Sequence, residues 1–238
     1  DTSRKDERTG RLKVNWQLAD NTKIKFLISE VDLNDPADIW TIDGSLNTLS
    51  DRPGMDSQKT NSYGIKVFHS YDGFELQSYT SSTNTNVIFS YDADWGNTDS
   101  HFPYVYDYFS ETLRDRKSLN QEFRVVSDSA DFQKNSFFEW VIGASYLELK
   151  ESNLKKDDGL YGDPSDPYGP YVSASSSSSK YKSSNFSIFG NLDYLLSTSL
   201  KFSIGLRWED WEADYSDSLQ ESFNPTDKMS GGKISLIK

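Results

Sequence analysis

The sequence predicts an all-β protein, an antiparallel up-and-down segment of a transmembrane β-barrel. Two patterns predict it: candidate strands alternate apolar and polar residues, and their connections alternate strictly between short and long. Short turns are expected at 19–21, 71–73, 127–135 and 196–198, and long polar connections at 33–59, 92–115, 152–182 and 213–228. Sorting short turns to one rim and long loops to the other is typical of outer-membrane barrels, and a soluble sandwich has no reason for it.

Nine candidate strands follow in order, each with one apolar face. The apolar sets of the first three strands are Leu12, Val14, Trp16 and Leu18; Ile24, Phe26 and Ile28; and Tyr63, Ile65 and Val67. The fourth strand, about 74–91, is the poorest because it is rich in serine and threonine. The next four sets are Leu119, Gln121, Phe123 and Val125; Trp140, Ile142, Ala144 and Tyr146; Phe186, Ile188, Leu192 and Tyr194; and Leu200, Phe202, Ile204, Leu206 and Trp208. A ninth strand is expected from about Met229 to Lys238.

Composition narrows the class of protein. The net charge of −12 argues against a nucleic-acid partner, because phosphates would be repelled. No continuous apolar run reaches the length of a membrane helix. The start, Asp1 to Lys5, is charged, so we expect either a processed chain or a segment of something larger.

Aromatic residues fall where the two interfaces of a membrane barrel require them. The set expected near the short turns is Trp16, Tyr71, Phe74, Trp140 and Tyr194. Tyr91 and Trp208 lie about one membrane-crossing strand length away, near the long loops. The alternative is that aromatic residues simply favour strands.

Four segments, in order and with similar gaps, resemble the barrel of TonB-dependent outer-membrane receptors. They are residues 120–127 (NQEFRVVS), 140–146 (WVIGASY), 186–194 (FSIFGNLDY) and 200–208 (LKFSIGLRW). Residues 10–16 (GRLKVNW) and 91–95 (YDADW) also resemble mid-barrel segments of siderophore-receptor-like members. The resemblance covers essentially the whole chain.

The resemblance implies a fragment of a larger transporter. Such barrels have roughly 22 strands, so residues 1–238 would be one partial barrel domain of about nine, without the plug domain and the final strand. The implied function is uptake of a scarce solute; the resemblance slightly favours a ferric siderophore or similar metal chelate, and haem, cobalamin and oligosaccharide stay open. The implied partners are outer-membrane lipid, the plug of the same receptor, the TonB energy-coupling protein and the ligand, and the implied location is the outer membrane of a Gram-negative bacterium. No cofactor is expected.

The long connections carry the candidate ligand-binding residues. They mix carboxylates with aromatic rings, which suits sugars or a bulky organic metal chelate. The candidates are Asp92, Asp94, Trp95, Tyr104, Tyr106, Tyr108, Tyr161, Tyr168 and Tyr171. Oxygens of Asp92, Asp94 and Asn97 are an alternative set for Ca²⁺, with incomplete spacing. The serine-rich stretch 173–179 predicts a flexible loop tip.

Catalysis is poorly supported, because His69 and His101 are the two histidines and cysteine is absent. We therefore expect no enzyme. Charged and polar residues on the face opposite the apolar one are expected to pair with each other or to contact the plug: Lys13, Glu122, Arg124, Asn191, Asp193, Arg207 and Glu209. Two rival hypotheses are a secreted carbohydrate-binding β-sandwich, in which a second sheet would cover the apolar face, and a barrel enzyme.

Overall fold

A computed structural model describes residues 4–38, 40–128, 138–197 and 200–218, together with the backbone of 226–237. These residues form one antiparallel sheet of nine strands in the order β1 to β9. The strands are β1 Glu7–Ala19, β2 Thr22–Pro36, β3 Met55–Tyr71, β4 Phe74–Asp92, β5 Val105–Ser127, β6 Phe138–Gly162, β7 Tyr171–Ser197, β8 Leu200–Asp217 and β9 Thr226–Ile237. The predicted up-and-down all-β fold is confirmed. Among the described residues, no helix is long and apolar enough to cross a membrane.

Strand register places the predicted apolar sets on one face of the sheet, hereafter the outward face. Directly opposite residues of antiparallel strands share a face, and the pairs Val14–Phe26, Phe26–Ile65 and Leu192–Ile204 show this continuity. On β8, Leu200, Phe202, Ile204, Leu206 and Trp208 are all exposed. Within the described part of the chain one sheet is present, and Ala213 is its single buried apolar side chain. This sheet therefore has no covering layer, which the sandwich hypothesis required.

Strand β4 interrupts the outward apolar face with Ser78, Thr80 and Ser82. Thr80 Oγ1 donates to Gln121 Oε1 over 2.5 Å, and Gln121 Nε2 donates to Ser78 Oγ over 3.2 Å. Ser78, Thr80 and Gln121 thus satisfy each other across β4 and β5. An unsatisfied polar group would cost several kcal/mol in hydrocarbon, by order of magnitude, so this mutual bonding lets the polar patch lie on an apolar face.

Aromatic pairs mark the short-turn end of the outward face. Tyr71 and Phe74 stack across the β3–β4 turn with ring centroids 4.9 Å apart, and Phe138 and Tyr194 stack at 4.8 Å. Tyr91 differs from the prediction: register places it on the opposite, inward face, together with Tyr79. Neighbouring side chains of a strand point to opposite faces of the sheet, so a shift of one residue in the expected alternation assigns a side chain to the wrong face.

The central strands run far beyond the predicted membrane-crossing lengths, with 23, 25 and 27 residues in β5, β6 and β7. Much of the predicted long connections 92–115 and 152–182 is therefore strand. The serine-rich stretch 173–179 is not a loop tip: it pairs residue by residue with 153–159 of β6. Backbone pairing supplies the hydrogen bonds of this stretch, so it needs no apolar side chains to be a strand.

The short turns at 19–21 and 71–73 lie at the predicted positions. Gly73, with φ of +84°, closes the β3–β4 turn, where a side chain would be strained. The predicted turns near 127–135 and 196–198 extend into residues 129–137 and 198–199, which lie outside the described residues. Strand β9 begins at Thr226, three residues before the predicted start at Met229.

Candidate ligand-binding site

Tyrosine side chains gather on the inward face at the long-loop end of the sheet. Tyr106 and Tyr108 lie two residues apart on β5, with ring centroids 4.7 Å apart. Tyr161 of β6 is paired with Tyr106 in register, and their rings meet edge to face at 6.5 Å. His101 packs against Tyr106 at 5.1 Å. We call Tyr106, Tyr108, Tyr161 and His101 the tyrosine cluster; the sequence did not identify His101 as its member.

Gly159 gives the tyrosine cluster its shape. A Cβ built on this residue would lie 2.2 Å from the ring of Tyr108, so the ring occupies the space above the glycine backbone. The two residues are direct cross-strand partners. A glycine opposite a tyrosine in a tyrosine-rich pair of strands is the signal that would have indicated this contact.

The hairpin between β6 and β7 positions the remaining two tyrosines. Tyr171 pairs in register with Tyr161, and its hydroxyl donates to Asp166 Oδ2 over 2.7 Å. The same carboxylate holds the loop, because its Oδ1 accepts from the Tyr168 backbone N–H over 2.9 Å. The Tyr168 side chain is 85% exposed. Tyr171 therefore extends the tyrosine cluster, whereas Tyr168 stands free at the hairpin tip.

Trp95 belongs to a separate aromatic pair. Its ring lies 6.3 Å from that of Trp40, which comes from the β2–β3 loop. Trp95 has φ of +57°, a left-handed conformation that is uncommon for a bulky residue and is tolerated where the surroundings enforce it. Tyr104, also in the β4–β5 loop, is exposed.

Three aspartates below this loop are almost completely buried: Asp92, Asp94 and Asp38 are 1%, 4% and 5% exposed. Asp38 joins the two loops, since its carboxylate accepts from the backbone N–H groups of Asp92 and Gly54. Asp94 accepts from Gly96 N over 3.1 Å and from Tyr108 N over 3.3 Å. Asp92 and Asp94 thus hold the loop backbone beneath the tyrosine cluster.

The carboxyl groups of Asp92 and Asp94 are both buried and interact with each other, so each affects the pKa of the other. Burial and the adjacent Asp92 carboxyl raise the pKa of Asp94 to about 6. Burial also opposes ionisation of Asp92, but hydrogen bonds from Asp94 and from backbone N–H groups hold the pKa of Asp92 below its usual value. Asp92 Oδ2 and the Ser50 hydroxyl are both buried without a close hydrogen-bond partner, and the side chains of Asp94 and Ser50 are the two that lower the pKa of Asp92.

The predicted calcium set does not converge. Asn97 Oδ1 accepts from the backbone N–H groups of Asp99 and Ser100, over 3.0 and 3.1 Å. Across the described ranges, no group of three or more histidine, aspartate or glutamate side chains has a geometry that would hold a metal ion. The oxygens of this loop are used to organise its own backbone.

Arg52 of the β2–β3 loop forms ion pairs on the outward face of β5 and β6. Its guanidinium pairs with Asp107 at 3.2 Å and Asp158 at 2.7 Å, and lies 4.7 Å from the centre of the Phe109 ring. One side chain therefore contacts β5 and β6 together. This contact places the loop against the back of the strands that carry the tyrosine cluster.

On the inward face nearer the short turns, cations and aromatic rings alternate across β2 to β8. Lys25 lies over Phe68, Lys66 over Tyr79, and Arg124 between Tyr79 and Phe189, with cation-to-ring distances of 4.9 to 5.8 Å. Arg207 completes the series at 5.4 Å from Phe189. We call this the cation–ring belt.

The inward charges pair mainly along their own strands. Arg124 pairs with Glu122, and Arg207 with Glu209 at 2.5 Å, each two residues apart. Asn191 donates to Asp193, which also pairs with Lys201 of β8 at 2.6 Å. Lys13, Lys25 and Lys66 have no carboxylate of the described residues within ion-pair distance. The wall formed by β1 to β3 is thus cationic on its inward side.

No protein-family model matches the chain, and no curated protein matches it in sequence. Solved structures do match in fold. The ferric yersiniabactin uptake receptor FyuA from Yersinia pestis has a TM-score of 0.64 at 14% identity, covering 97% of this chain and 34% of that receptor. The ferric preacinetobactin receptor BauA from Acinetobacter baumannii has a TM-score of 0.59 at 14% identity, with 98% and 37% covered.

The ferric citrate transporter FecA matches with a TM-score of 0.60 at 11% identity, covering 98% of this chain and 33% of that transporter. All three similar proteins are receptors or transporters rather than enzymes. The chain spans about a third of the length of each. Its nine strands therefore have the fold of part of the β-barrel of these three proteins.

Proposed function

We propose that residues 1–238 form part of the barrel of a TonB-dependent receptor in the outer membrane of a Gram-negative bacterium. The observation that carries the proposal is the uncovered apolar face. It extends over β1 to β8 in a single sheet apart from the polar patch on β4, and such a face is stable against lipid rather than water. The fold shared with three receptor barrels supports the same conclusion.

The two ends of the sheet give the orientation. Short turns face the periplasm in such barrels and longer loops face outside. The tyrosine cluster, on the inward face at the long-loop end, would therefore line the external entrance of the barrel. The cation–ring belt would lie deeper, facing the plug domain of the same receptor. Coupling to TonB and gating would reside in parts of the receptor outside this segment.

The ligand we propose is a ferric siderophore or a similar metal chelate. Tyrosine rings offer flat apolar faces, and their hydroxyls add hydrogen bonds at the edges, which suits a bulky organic chelate. Of the predicted residues, Tyr106, Tyr108, Tyr161 and Tyr171 share one inward surface. We propose these four as ligand contacts, with Trp95, Tyr104 and Tyr168 as exposed loop residues that a ligand meets first. Asp92 and Asp94 would support the loop from below.

Topology is tested in the full-length receptor with single cysteines in intact cells. Leu46, fully exposed in the β2–β3 loop, should react with a membrane-impermeant thiol reagent after L46C substitution. Ile204 in the outward face should be protected after I204C substitution. Equal reaction at both positions would contradict the membrane assignment and return the chain to the class of soluble binding domains.

Uptake is tested separately with iron-55 bound to a panel of siderophores, citrate and haem. The parent receptor should support energy-dependent uptake of one chelate class. A receptor with Y106A and Y161A together should lose most of that uptake while remaining in the outer membrane. Unchanged uptake in the double variant would remove the tyrosine cluster from the ligand path.

A further inference from the structure

The tyrosine cluster lies on a narrow extension of the sheet. Strand β4 ends at Asp92, opposite Phe109 of β5, so residues 105–108 of β5 extend beyond β4 together with the ends of β6 and β7. Among the described residues, no apolar side chain of this three-stranded extension is buried. A small sheet needs a hydrophobic face or a packing partner to be stable by itself in water. The positions of the tyrosine rings therefore depend on contacts from outside the extension.

The β4–β5 loop supplies the first of these contacts, at the edge of the extension. The Ala93 N–H donates to the Tyr108 carbonyl over 2.8 Å, and the Tyr108 N–H donates to Asp94 Oδ2 over 3.3 Å. These two bonds fix the backbone of Tyr108. They do not join β5 to β6, although the Tyr108 ring lies over Gly159 of β6.

Arg52 of the β2–β3 loop joins β5 to β6 from the outward face. Asp107 and Phe109 flank Tyr108 in the chain. Asp158 of β6 is the cross-strand partner of Phe109. The Arg52 guanidinium contacts all three neighbours, through the two ion pairs and the ring contact described above. Because successive side chains of a strand point to opposite faces, these contacts lie directly behind the inward ring of Tyr108.

Without the arginine, the carboxylates of Asp107 and Asp158 would repel each other. They are diagonal neighbours on the same face of adjacent strands, and like charges close together on a sheet are destabilising. A planar guanidinium has several N–H donors in a fixed arrangement, so one arginine binds both carboxylates and keeps them together. The Arg52 side chain is 35% exposed, so its ion pairs add little to overall stability. Its main effect is therefore on the relative position of the two strands.

We propose that Arg52 is a positioning residue of the tyrosine cluster. From the outward face it fixes the Tyr108 ring in the orientation that binds the chelate, without contacting the chelate itself. The Asp51 N–H donates to the Gly96 carbonyl over 3.0 Å, so the same loop also holds the β4–β5 loop that binds the Tyr108 backbone. The effect on chelate affinity rests on the proposed function, whereas the effect on the Tyr108 ring does not.

The ring position is tested by fluorine-19 NMR of the purified full-length receptor with 3-fluorotyrosine incorporated at Tyr108. R52Q should shift the resonance, and D107N together with D158N should also shift it. Adding R52Q to that pair should cause no further change, because Arg52 acts through the two carboxylates. The matched control is K156Q. Lys156 also joins β6 to β5 on the outward face, through Glu111 at 3.2 Å, but does not flank Tyr108. K156Q should leave the resonance unchanged.

Affinity is tested by uptake of the iron-55 chelate panel described above. R52Q should raise the KM of the transported chelate roughly tenfold and leave the maximal rate unchanged, because gating lies in other parts of the receptor. In the receptor that carries D107N and D158N, R52Q should not raise the KM again. A further rise there would show that Arg52 contacts the chelate, and the positioning role would be wrong.

An unchanged Tyr108 resonance in R52Q would also overturn the proposal. R52K covers the case in which R52Q does not fold. Its amine keeps the charge but lacks the planar arrangement that binds two carboxylates, so the resonance should shift in the same direction by a smaller amount. A resonance identical to that of the parent would overturn the proposal. If the parent receptor takes up no chelate, the proposed function fails, and the fluorine resonance still decides whether Arg52 positions the ring.

Discussion

The ring of Phe189 on β7 lies over the backbone of Gly143 on β6, where a Cβ would come within 2.4 Å of the ring. This contact places Phe189 between Arg124 and Arg207 in the cation–ring belt. A side chain at residue 143 would therefore displace the ring and separate the two cations. Glycine here links the packing of four strands, β5 to β8.

We expect G143A to lower the free energy of unfolding of the full-length receptor by about 1–3 kcal/mol, because the ring of Phe189 must move. The matched control is G190A on the neighbouring strand, where a Cβ would meet Val141 O at an ordinary 3.4 Å. Guanidinium unfolding in lipid vesicles measures both. Equal stability of the two variants would show that Phe189 does not depend on this glycine.

Loop stability should depend on pH through Asp94. Its pKa in the folded loop, about 6, is above the value of 3.8 expected in the open loop, so the folded state binds the extra proton. The stabilisation is full below the lower value and is lost as the pH rises through 6. The protection factor of amides 93–97, which is the exchange rate expected for an unstructured amide at the same pH divided by the observed rate, should therefore be lower at pH 7.5 than at pH 5, by roughly tenfold as an order of magnitude.

D94N should remove this pH dependence, because an amide donates to Asp92 at every pH. Asp163 provides the control, since hydrogen bonds from Ser165 lower its pKa, so it stays ionised throughout this range. D163N should leave the exchange of residues 93–97 unchanged. Protection factors of the parent that do not differ between pH 5 and pH 7.5 would contradict the assignment.

Lipid contact predicts opposite outcomes for neighbouring residues of β8. I204K puts an amine on the outward face and should destabilise the receptor in bilayers by about 2–4 kcal/mol. S203K puts the same amine on the inward face, directly opposite Asp193, and should be nearly neutral. Folding yield and denaturant midpoints in vesicles compare the two variants. A similar cost for both would mean that the two faces meet the same environment.

The tyrosine cluster should be sensitive to the glycine beneath it. G159A would place a methyl group against the ring of Tyr108 and turn the ring out of the cluster. We expect the affinity for the transported chelate to fall roughly tenfold, with outer-membrane assembly retained. G10A on β1, where a Cβ would meet no atom within 4 Å, should bind as the parent does. Affinity is measured by titration of purified receptor with the chelate identified in uptake assays.

The sequence predicted the part of the fold nearer the short turns well, since one face of the sheet there is apolar and the other is polar. Period-two patterns gave the correct face for the sixth strand, including Trp140 and Ile142, and for Leu200 to Trp208. The strand residues nearer the long loops were missed because they have no apolar face. Residues 173–179 show no alternation of apolar and polar side chains. Their strand conformation depends on pairing with β6, and a local sequence pattern does not show that pairing.

The site was predicted less completely than the fold. Tyrosines at 106, 108 and 161 were identified from composition, and strand pairing then placed them together. These rings come together because of the register between β5 and β6. The sequence predicted long connections for these residues, so it did not indicate that register. The buried state of Asp92 and Asp94 was also hidden, because Asp38 covers them from another loop and sequence order does not show that contact.

Strand length rises from 13 residues in β1 to 27 in β7 and falls to 18 in β8, so the rim at the long-loop end is not level. Strand register places Glu7 of β1 level with Ser179 of β7, so at roughly 3.3 Å per residue the crest at the β6–β7 hairpin lies about 26 Å farther along the strands than the edge at β1. In the intact receptor, an antibody or a bacteriophage would touch this crest before any other part of the segment. A small solute would instead enter over the low side. Recognition by large particles and capture of the nutrient would then depend on different stretches of one chain, and each could change without loss of the other.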